Sequence, residues 1–505
     1  SPPTQNQSTN LIYILKAQSK FKQEENYLGN PAKLYSRLKY SSGHIRVGFT
    51  AEKDQGESFF DKNVPYGFDF YSGYIQFSAN NFSMIAGDYS INNGQGLVLS
   101  NAFRSIYNNS PIYTNLYQNQ IKVFTSTNEN SFFRGLCFQK VIRNFSFQPY
   151  ISFKQIDASI ENDTIKSFQN TGYHRTINEL TKKDQCTELS FGNTFSYTQN
   201  HFTLALNQLF LKYNLPFVND SNYYKTRSII DGWQNSNSVD FTWRLKNINL
   251  FGELAANNYL AFSFIGGIVA SLNKTITISA RSRKFSNNFY NPHAFTYSQN
   301  STPKNEEGID FSVLLNLRKN EQINLNFDVY QHPQIRYGVK SPSYGKEFSL
   351  LYQKMASDKV NFYCRYQYHE NALLFNKKEI KEQSKSHQIR IQLNWRFTHV
   401  STLSFRNEIH RINDKTGWLA YINIKHKISN SPFDIYLRYT LFNVQDYDAR
   451  IYAYENDVLY SSSTPAYSTI GNQLFGMLRY QLNTHWNFWL KYSTQELKFQ
   501  IVYEK

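Results

Sequence analysis

The residues that could do chemistry in this chain are few and scattered. His410 sits in EIHRIND (408–414) with no second ligand at helical spacing. The three cysteines, Cys137, Cys186 and Cys364, lie far apart, lack CxxC or His partners at metal spacing, and leave one thiol over under any bridging. They read as small buried side chains and say little about compartment. No GxSxG, HExxH, SxxK or Walker A motif stands in a supporting context. A lipase-like Ser/His arrangement assembled across strands would leave no such signature, because triads are recognised by geometry. That alternative stays open; the expectation is a non-enzyme with no cofactor and no metal.

Two denser motifs have structural readings. GDYSINNGQG places Gly87, Gly94 and Gly96 around Asp88, Tyr89 and Gln95. A phosphate-cradling loop would need a Lys after the last Gly and a helix beginning there, and neither is present. Glycines in a strand region mark bends or close backbone approach. The motif therefore predicts a strand that leaves its sheet and folds inward, with 91–111 as a plug segment. FTAEKDQGESFF brings Glu52, Lys53, Asp54 and Glu57 together. Such a run is either an ion-pair cluster or, as the commoner case, a solvated loop.

The elements that must position these residues come from a different pattern. In HQIRIQLNWRF (387–397), Ile389, Ile391, Leu393, Trp395 and Phe397 alternate with Arg390, Gln392, Asn394 and Arg396. Strand side chains point to opposite faces with period two, so one face is apolar and the other polar. The pattern returns in QINLNFDVY, with Asn324, Asn326 and Asp328 on the polar face. It returns again in FDIYLRYTL with Arg438, and in LKFQIVY with Lys498 opposite Phe499 and Ile501. Helical periodicity is nearly absent, and no apolar run is long enough for a membrane-spanning helix. The fold class is all-β.

Length and rhythm separate a membrane barrel from a soluble sandwich. The strands run to about 9–12 residues, enough to cross a bilayer at a tilt. Aromatics cap their apolar faces, as in HWNFWLKY (485–492), where interfacial girdles belong. Short polar turns at 143–144, 246–247, 273–274, 319–320, 357–358 and 483–484 alternate with longer polar loops around 158–185, 214–235, 284–306, 331–345, 369–386 and 443–470. This predicts a transmembrane antiparallel β-barrel over residues 11–505, of roughly 24–26 strands, behind a short periplasmic tail (1–10), with the long loops near 158–185, 214–235, 284–306 and 443–470 extracellular. Mean hydropathy of −0.56 fits, since only alternate strand residues must be apolar. Arg390, Gln392, Asn394, Arg396, Asn324, Asn326, Asp328, Arg438 and Lys498 are expected to line the lumen. Ile391, Leu393, Trp395, Phe499 and Ile501 are expected to face lipid.

Charge bears on partners. Lys+Arg of 54 against Asp+Glu of 38 gives a formal +16. Basic rings select anions, but basic rims also meet the phosphates of lipid and lipopolysaccharide, where Lys and Arg snorkel easily.

Several segments also carry a resemblance. YLGNPAKLYSRLKY (27–40), VGFTAEKDQGESFF (47–60), GFDFYSGYI (67–75) and GDYSINNGQGLVLSNAF (87–103) occur in order, followed by NENSFFRGL (128–136), FKQIDASI (153–160) and GYHRTINELTKKD (172–184). This order resembles the outer-membrane barrel region of Bacteroidota helix-hairpin-helix domain-containing, competence-protein-like proteins, most specifically over about 11–200. The resemblance implies a barrel in the bacterial outer membrane. Proteins of this kind carry a helix-hairpin-helix domain ahead of the barrel; this sequence shows none, which weakens a nucleic-acid role. Two functions are expected to compete. One is a channel or transporter, for an anionic solute or a polymer such as DNA. The other is a plugged assembly subunit that binds other outer-membrane or periplasmic proteins.

Overall fold

The computed structural model describes residues 9–505 apart from 22–25, 63, 101–109, 116–117, 217–230, 259, 337–338, 340, 373–383, 462 and 495. The expected tail therefore lies almost wholly outside the described residues, as do most of the 214–235 and 369–386 loops and the later part of 91–111. Alternating segments pair with their sequence neighbours into one antiparallel sheet of 25 strands. The sheet closes on itself: Asn10–Lys20 pairs with Ala32–Ser42 on one side and with the last strand, Glu496–Glu504, on the other. One short strand, Gln118–Val123, pairs only with the far end of Phe82–Gly94, so the wall itself has 24 strands.

The strand grammar sets which face looks where. From Gln388 to Trp395 the exposed residues are Ile389, Ile391, Leu393 and Trp395, while Gln388, Arg390, Gln392 and Asn394 are half-buried. The apolar face is the exposed one, the reverse of a soluble protein, and the same inversion runs around the wall through Phe327, Leu437, Leu490 and Phe499. A closed barrel satisfies every backbone group of its wall without water, and this is one of two ways a chain can span lipid. With an apolar exterior around a polar interior, the chain is an outer-membrane β-barrel of a bacterium. Leu393→Arg is expected to destabilise the inserted barrel by about 2–4 kcal/mol, and Gln392→Leu far less. Urea titration of the folded fraction in vesicles checks this; equal effects would reverse the assignment of faces.

Aromatic pairs gather near one rim, including Trp486–Tyr503 at 4.8 Å and Phe433–Tyr480 at 4.9 Å. That rim holds the short connections, among them 143–144, 200–201, 246–247 and 319–320. Arg143, Asn200 and Lys246 take the positive φ that two-residue hairpins need. The first and last strands meet there, with Leu11 N–H donating to Lys505 O at 2.8 Å. Outer-membrane barrels keep short turns in the periplasm, and by that rule this is the rim expected to face the periplasm. The opposite rim departs from a uniform long-loop pattern: the connections at 413–414 and 258–261 are tight as well.

Candidate functional site

Most of the residues expected in the lumen point inward. Asn326 and Asp328 are fully buried, Arg438 and Lys498 nearly so, and Asn324, Arg390, Gln392 and Asn394 are half-buried. Ile391, Leu393, Trp395 and Phe499 lie on the outer face; Ile501 shares it but is half-buried. Arg396 does not belong to the lumenal set. The strand ends at Trp395, and Arg396 opens the periplasmic turn with its side chain in solvent. The alternation reads on through Phe397 because the turn happens to preserve it.

The glycine motif works as a bend. Gly87 has φ of +102°, and a Cβ there would sit 2.2 Å from Gly73 O, so only glycine fits. Asp88 then turns in, accepting from Gly73 N–H at 3.1 Å and pairing with Arg134 Nε at 2.7 Å. Tyr89 is buried, its hydroxyl donating to Ile151 O at 2.8 Å. Beyond it the chain leaves the wall and crosses the lumen. Glu253, on the wall strand Ile248–Asn257, accepts from Gln95 N–H at 2.6 Å and Leu97 N–H at 3.2 Å. Gly94 and Gly96 have positive φ, and a Cβ on Gly94 would meet the Glu253 carboxylate at 2.8 Å. Leu97, Val98 and Leu99 are wholly buried in an apolar cluster inside the barrel, with Ile91, Ile265 and Phe289.

Two of the long connections also turn inward, although polar composition suggested extracellular loops. In 286–305, Phe295 N–H donates to Gly96 O at 2.9 Å and Asn291 Nδ2 to Val98 O at 2.8 Å, so this loop clasps the inward segment. In 445–469, Ile451, Ala453, Glu455 and Val458 are buried against the wall. Glu455 pairs with Lys491 at 3.1 Å and Asp457 with Lys498 at 2.9 Å. A lumen of 24 strands is too wide for wall side chains to fill, and these segments fill it. Polar loops suit a polar lumen as well as they suit water, so composition does not separate the two.

The lumenal charges fall into distinct groups. Arg283 is fully buried between Glu306 at 2.6 Å and Asp328 at 2.9 Å. Further round the wall, Arg365, Arg390 and Arg406 stand on three successive strands and Arg438 two strands beyond, with Arg365 directly opposite Arg390. Glu408 serves two of them, Arg390 at 2.8 Å and Arg406 at 2.7 Å. Arg438 lies over the Tyr421 ring at 4.0 Å and donates to Tyr454 O of the inward loop at 2.6 Å. Among the described residues Arg365 makes no ion pair; its Nη2 reaches Gln388 Oε1 at 3.4 Å and its Nε is buried without a partner. Arg365, Arg390, Arg406 and Arg450 line a cavity of about 610 Å³. A second cavity, of about 840 Å³, opens beside Lys16, Lys33 and Lys498. Thr464 of the inward loop lines both.

At the outer rim the segment FTAEKDQGESFF is a buried charge cluster, not a solvated loop. Lys53 and Glu57 are inaccessible, and Lys33 pairs with both Glu52 and Asp54. Glu57 holds the backbone of His174, whose imidazole lies between Asp69 (Nδ1, 2.5 Å) and Asp157 (Nε2, 2.8 Å). Burial disfavours a charged imidazole, but the two carboxylates outweigh it and raise its pKa to about 10. Burial and the neighbouring Asp69 push the Glu129 carboxyl up to about 9. Every member of this cluster comes from a segment that carried the family resemblance. Their convergence could not be read from spacing.

No family model matches the chain, and no curated protein matches it. Solved structures with a similar fold include the siderophore receptor PirA from Pseudomonas aeruginosa, at TM-score 0.48 and 5% identity over 100% of this chain and 81% of that one. The FrpB iron transporter from Neisseria meningitidis aligns at TM-score 0.45 and 8% identity, covering 98% of this chain and 81% of that one. OccAB3 from Acinetobacter baumannii aligns at TM-score 0.37 and 10% identity over 99% of both chains. With TM-scores below 0.5, none of these bears on what this chain carries.

Proposed function

We propose that this barrel is an outer-membrane channel for small anionic solutes, closed in the present conformation by its inward segments. The observation that carries the reading is Arg365: a lumenal guanidinium with no ion-pair partner among the described residues, in a cavity shared with three further arginines. A half-buried lumenal cation without a carboxylate partner favours an anionic one. At about 610 Å³ the cavity falls within the usual range for small-molecule sites. That favours a solute over a polymer, so DNA passage is the less supported version. The apolar cluster around Leu97–Leu99 favours a second reading, a permanently filled barrel serving as an assembly subunit.

Planar-bilayer recordings of the purified chain under a salt gradient separate the two. Anion-selective conductance is expected, with selectivity reduced by Arg365→Gln. A hydrogen bond to a charged group contributes about 1.5–3 kcal/mol, so affinity for a permeant dicarboxylate or phosphate should fall about 10- to 100-fold. Cation selectivity would overturn the channel reading. A barrel that never conducts, and co-purifies with a partner, would favour the assembly reading.

A further inference from the structure

We infer that Glu129, Asp157 and His174 form a binding site for a divalent transition-metal ion of the Zn²⁺ type, tying together two outer connections of the barrel. The three donor atoms, an imidazole nitrogen and two carboxylate oxygens, lie within 4.8 Å of one another. One imidazole with carboxylates suits Zn²⁺ and its neighbours, whereas Ca²⁺ takes oxygen ligands alone. A ligand set at about 2.0–2.2 Å from the ion is reached by small side-chain movements.

Three observations beyond proximity favour this set. The imidazole is already oriented as a ligating histidine is: Nδ1 faces Asp69 at 2.5 Å, and Asp69 is itself held by Lys183 at 2.6 Å. Metal-ligating histidines almost always donate their other ring N–H to such a carboxylate, which fixes the ring and leaves Nε2 for the ion. The Glu129 carboxylate, in contrast, has no hydrogen-bond partner among the described residues. Gly172, with φ of +65°, leaves it room, since a Cβ there would lie 3.0 Å from the Glu129 carboxyl carbon. The alternative trio of Glu57, Asp69 and His174 is less available. Both Glu57 oxygens already accept backbone N–H groups, from Asp54 at 2.6 Å and His174 at 3.0 Å.

Binding would displace the proton on His174 Nε2 and the one on the Glu129 carboxyl, both leaving to solvent, and the ion would then sit among Nε2, Asp157 and Glu129. The charge balance agrees. Glu57, Asp69, Glu129, Asp157 and Asp184 surround His174 and Lys183, and the excess is negative. Glu129 belongs to the connection ahead of Phe133, and Asp157 and His174 to the connection of 157–185, so the ion would fasten the mouth.

The test uses the full chain, folded in detergent and stripped with a chelator. Zn²⁺ is titrated near neutral pH against a chromophoric competitor. One tight Zn²⁺ per chain is expected, with Ca²⁺ at least a hundredfold weaker. Glu129→Gln and Asp157→Asn should each weaken Zn²⁺ at least about tenfold, and Asp69→Asn about 10- to 100-fold through the lost orientation of His174. Heat-modifiable mobility on gels confirms that each variant is folded. Absence of tight Zn²⁺ in the folded wild type, binding unchanged by His174→Ala, or a preference for Ca²⁺ would each overturn the assignment. His174 would then be a charged cross-tie and nothing more.

Discussion

Arg283→Met is expected to be among the most damaging single changes in the lumen, at about 3–5 kcal/mol. The guanidinium has no exposed surface, and neither do its partners Glu306 and Asp328. It donates Nε to Glu306 at 2.6 Å, and Nη1 and Nη2 to Asp328 at 2.9 and 3.0 Å. Gly308 makes the space: a Cβ there would lie 2.7 Å from the guanidinium. Removing the cation leaves two buried carboxylates with only neutral partners, Ser298 and Gln299 on Glu306, and Tyr297 and Gln299 on Asp328. The cost is that of an uncompensated buried charge, which far exceeds the net worth of the pair itself. The triple variant Arg283→Met, Glu306→Gln, Asp328→Asn removes all three charges and should recover most of the loss. Urea titration of the folded fraction in vesicles compares them. A single variant within about 1 kcal/mol of wild type would mean that water reaches this site and screens it.

This network also shows what sequence can and cannot carry. Arg283, Glu306 and Asp328 stand on three successive wall strands, and Asp328 was legible as an inward residue because QINLNFDVY alternates without a break. Alternation survives in the sequence because lipid tolerates no polar residue on the outer face, so every strand repeats the same constraint. The Gly87 and Gly94 bends were legible for a related reason, since glycine is retained where no Cβ fits. Pairings across the lumen leave no comparable trace. Glu253 reads as one polar residue in INLFGELAAN, and nothing local says that it receives the amides of Gln95 and Leu97. Arg365 alternates inward in NFYCRYQYH, yet its lack of a partner depends on what its neighbours hold. Loops that fold into a polar lumen use the same Asn, Ser, Asp and Tyr as loops in water, which is why 445–469 reads as an outer loop.

Under the proposed channel reading, that inward loop is the most direct control over the passage. Two of its acidic residues are matched to wall lysines: Lys491 is fully buried beside Glu455 at 3.1 Å, and Lys498 meets Asp457 at 2.9 Å. Gln500 Nε2 adds a bond to Leu459 O at 2.7 Å, and Val458 packs beside Ile14, Trp489 and Val502. In the inward position the loop carboxylates occupy cations that an anionic solute would otherwise use. Glu455→Gln with Asp457→Asn should therefore favour an outward loop. Breaking the Glu455–Lys491 pair disfavours the inward state by up to about 3–5 kcal/mol, since Lys491 would stay buried and unmatched, whereas Lys498 keeps Glu496 at 3.1 Å and the Asp457 change costs less. Moving a two-state equilibrium from 1:99 to 99:1 takes about 5.5 kcal/mol, so the double variant is expected to move the populations strongly toward the outward loop. Larger and more frequent single-channel openings are expected, together with labelling of Val458→Cys by a thiol reagent added from outside. The same cysteine in the wild-type background should stay protected, being almost inaccessible at 1% exposure. Labelling without added conductance would place the remaining block at Leu97–Leu99, where the inward segment has an apolar seat and no lysine clamp to lose. Neither labelling nor conductance would mean that the loop is a fixed part of the wall's interior, and the channel reading would lose its gate.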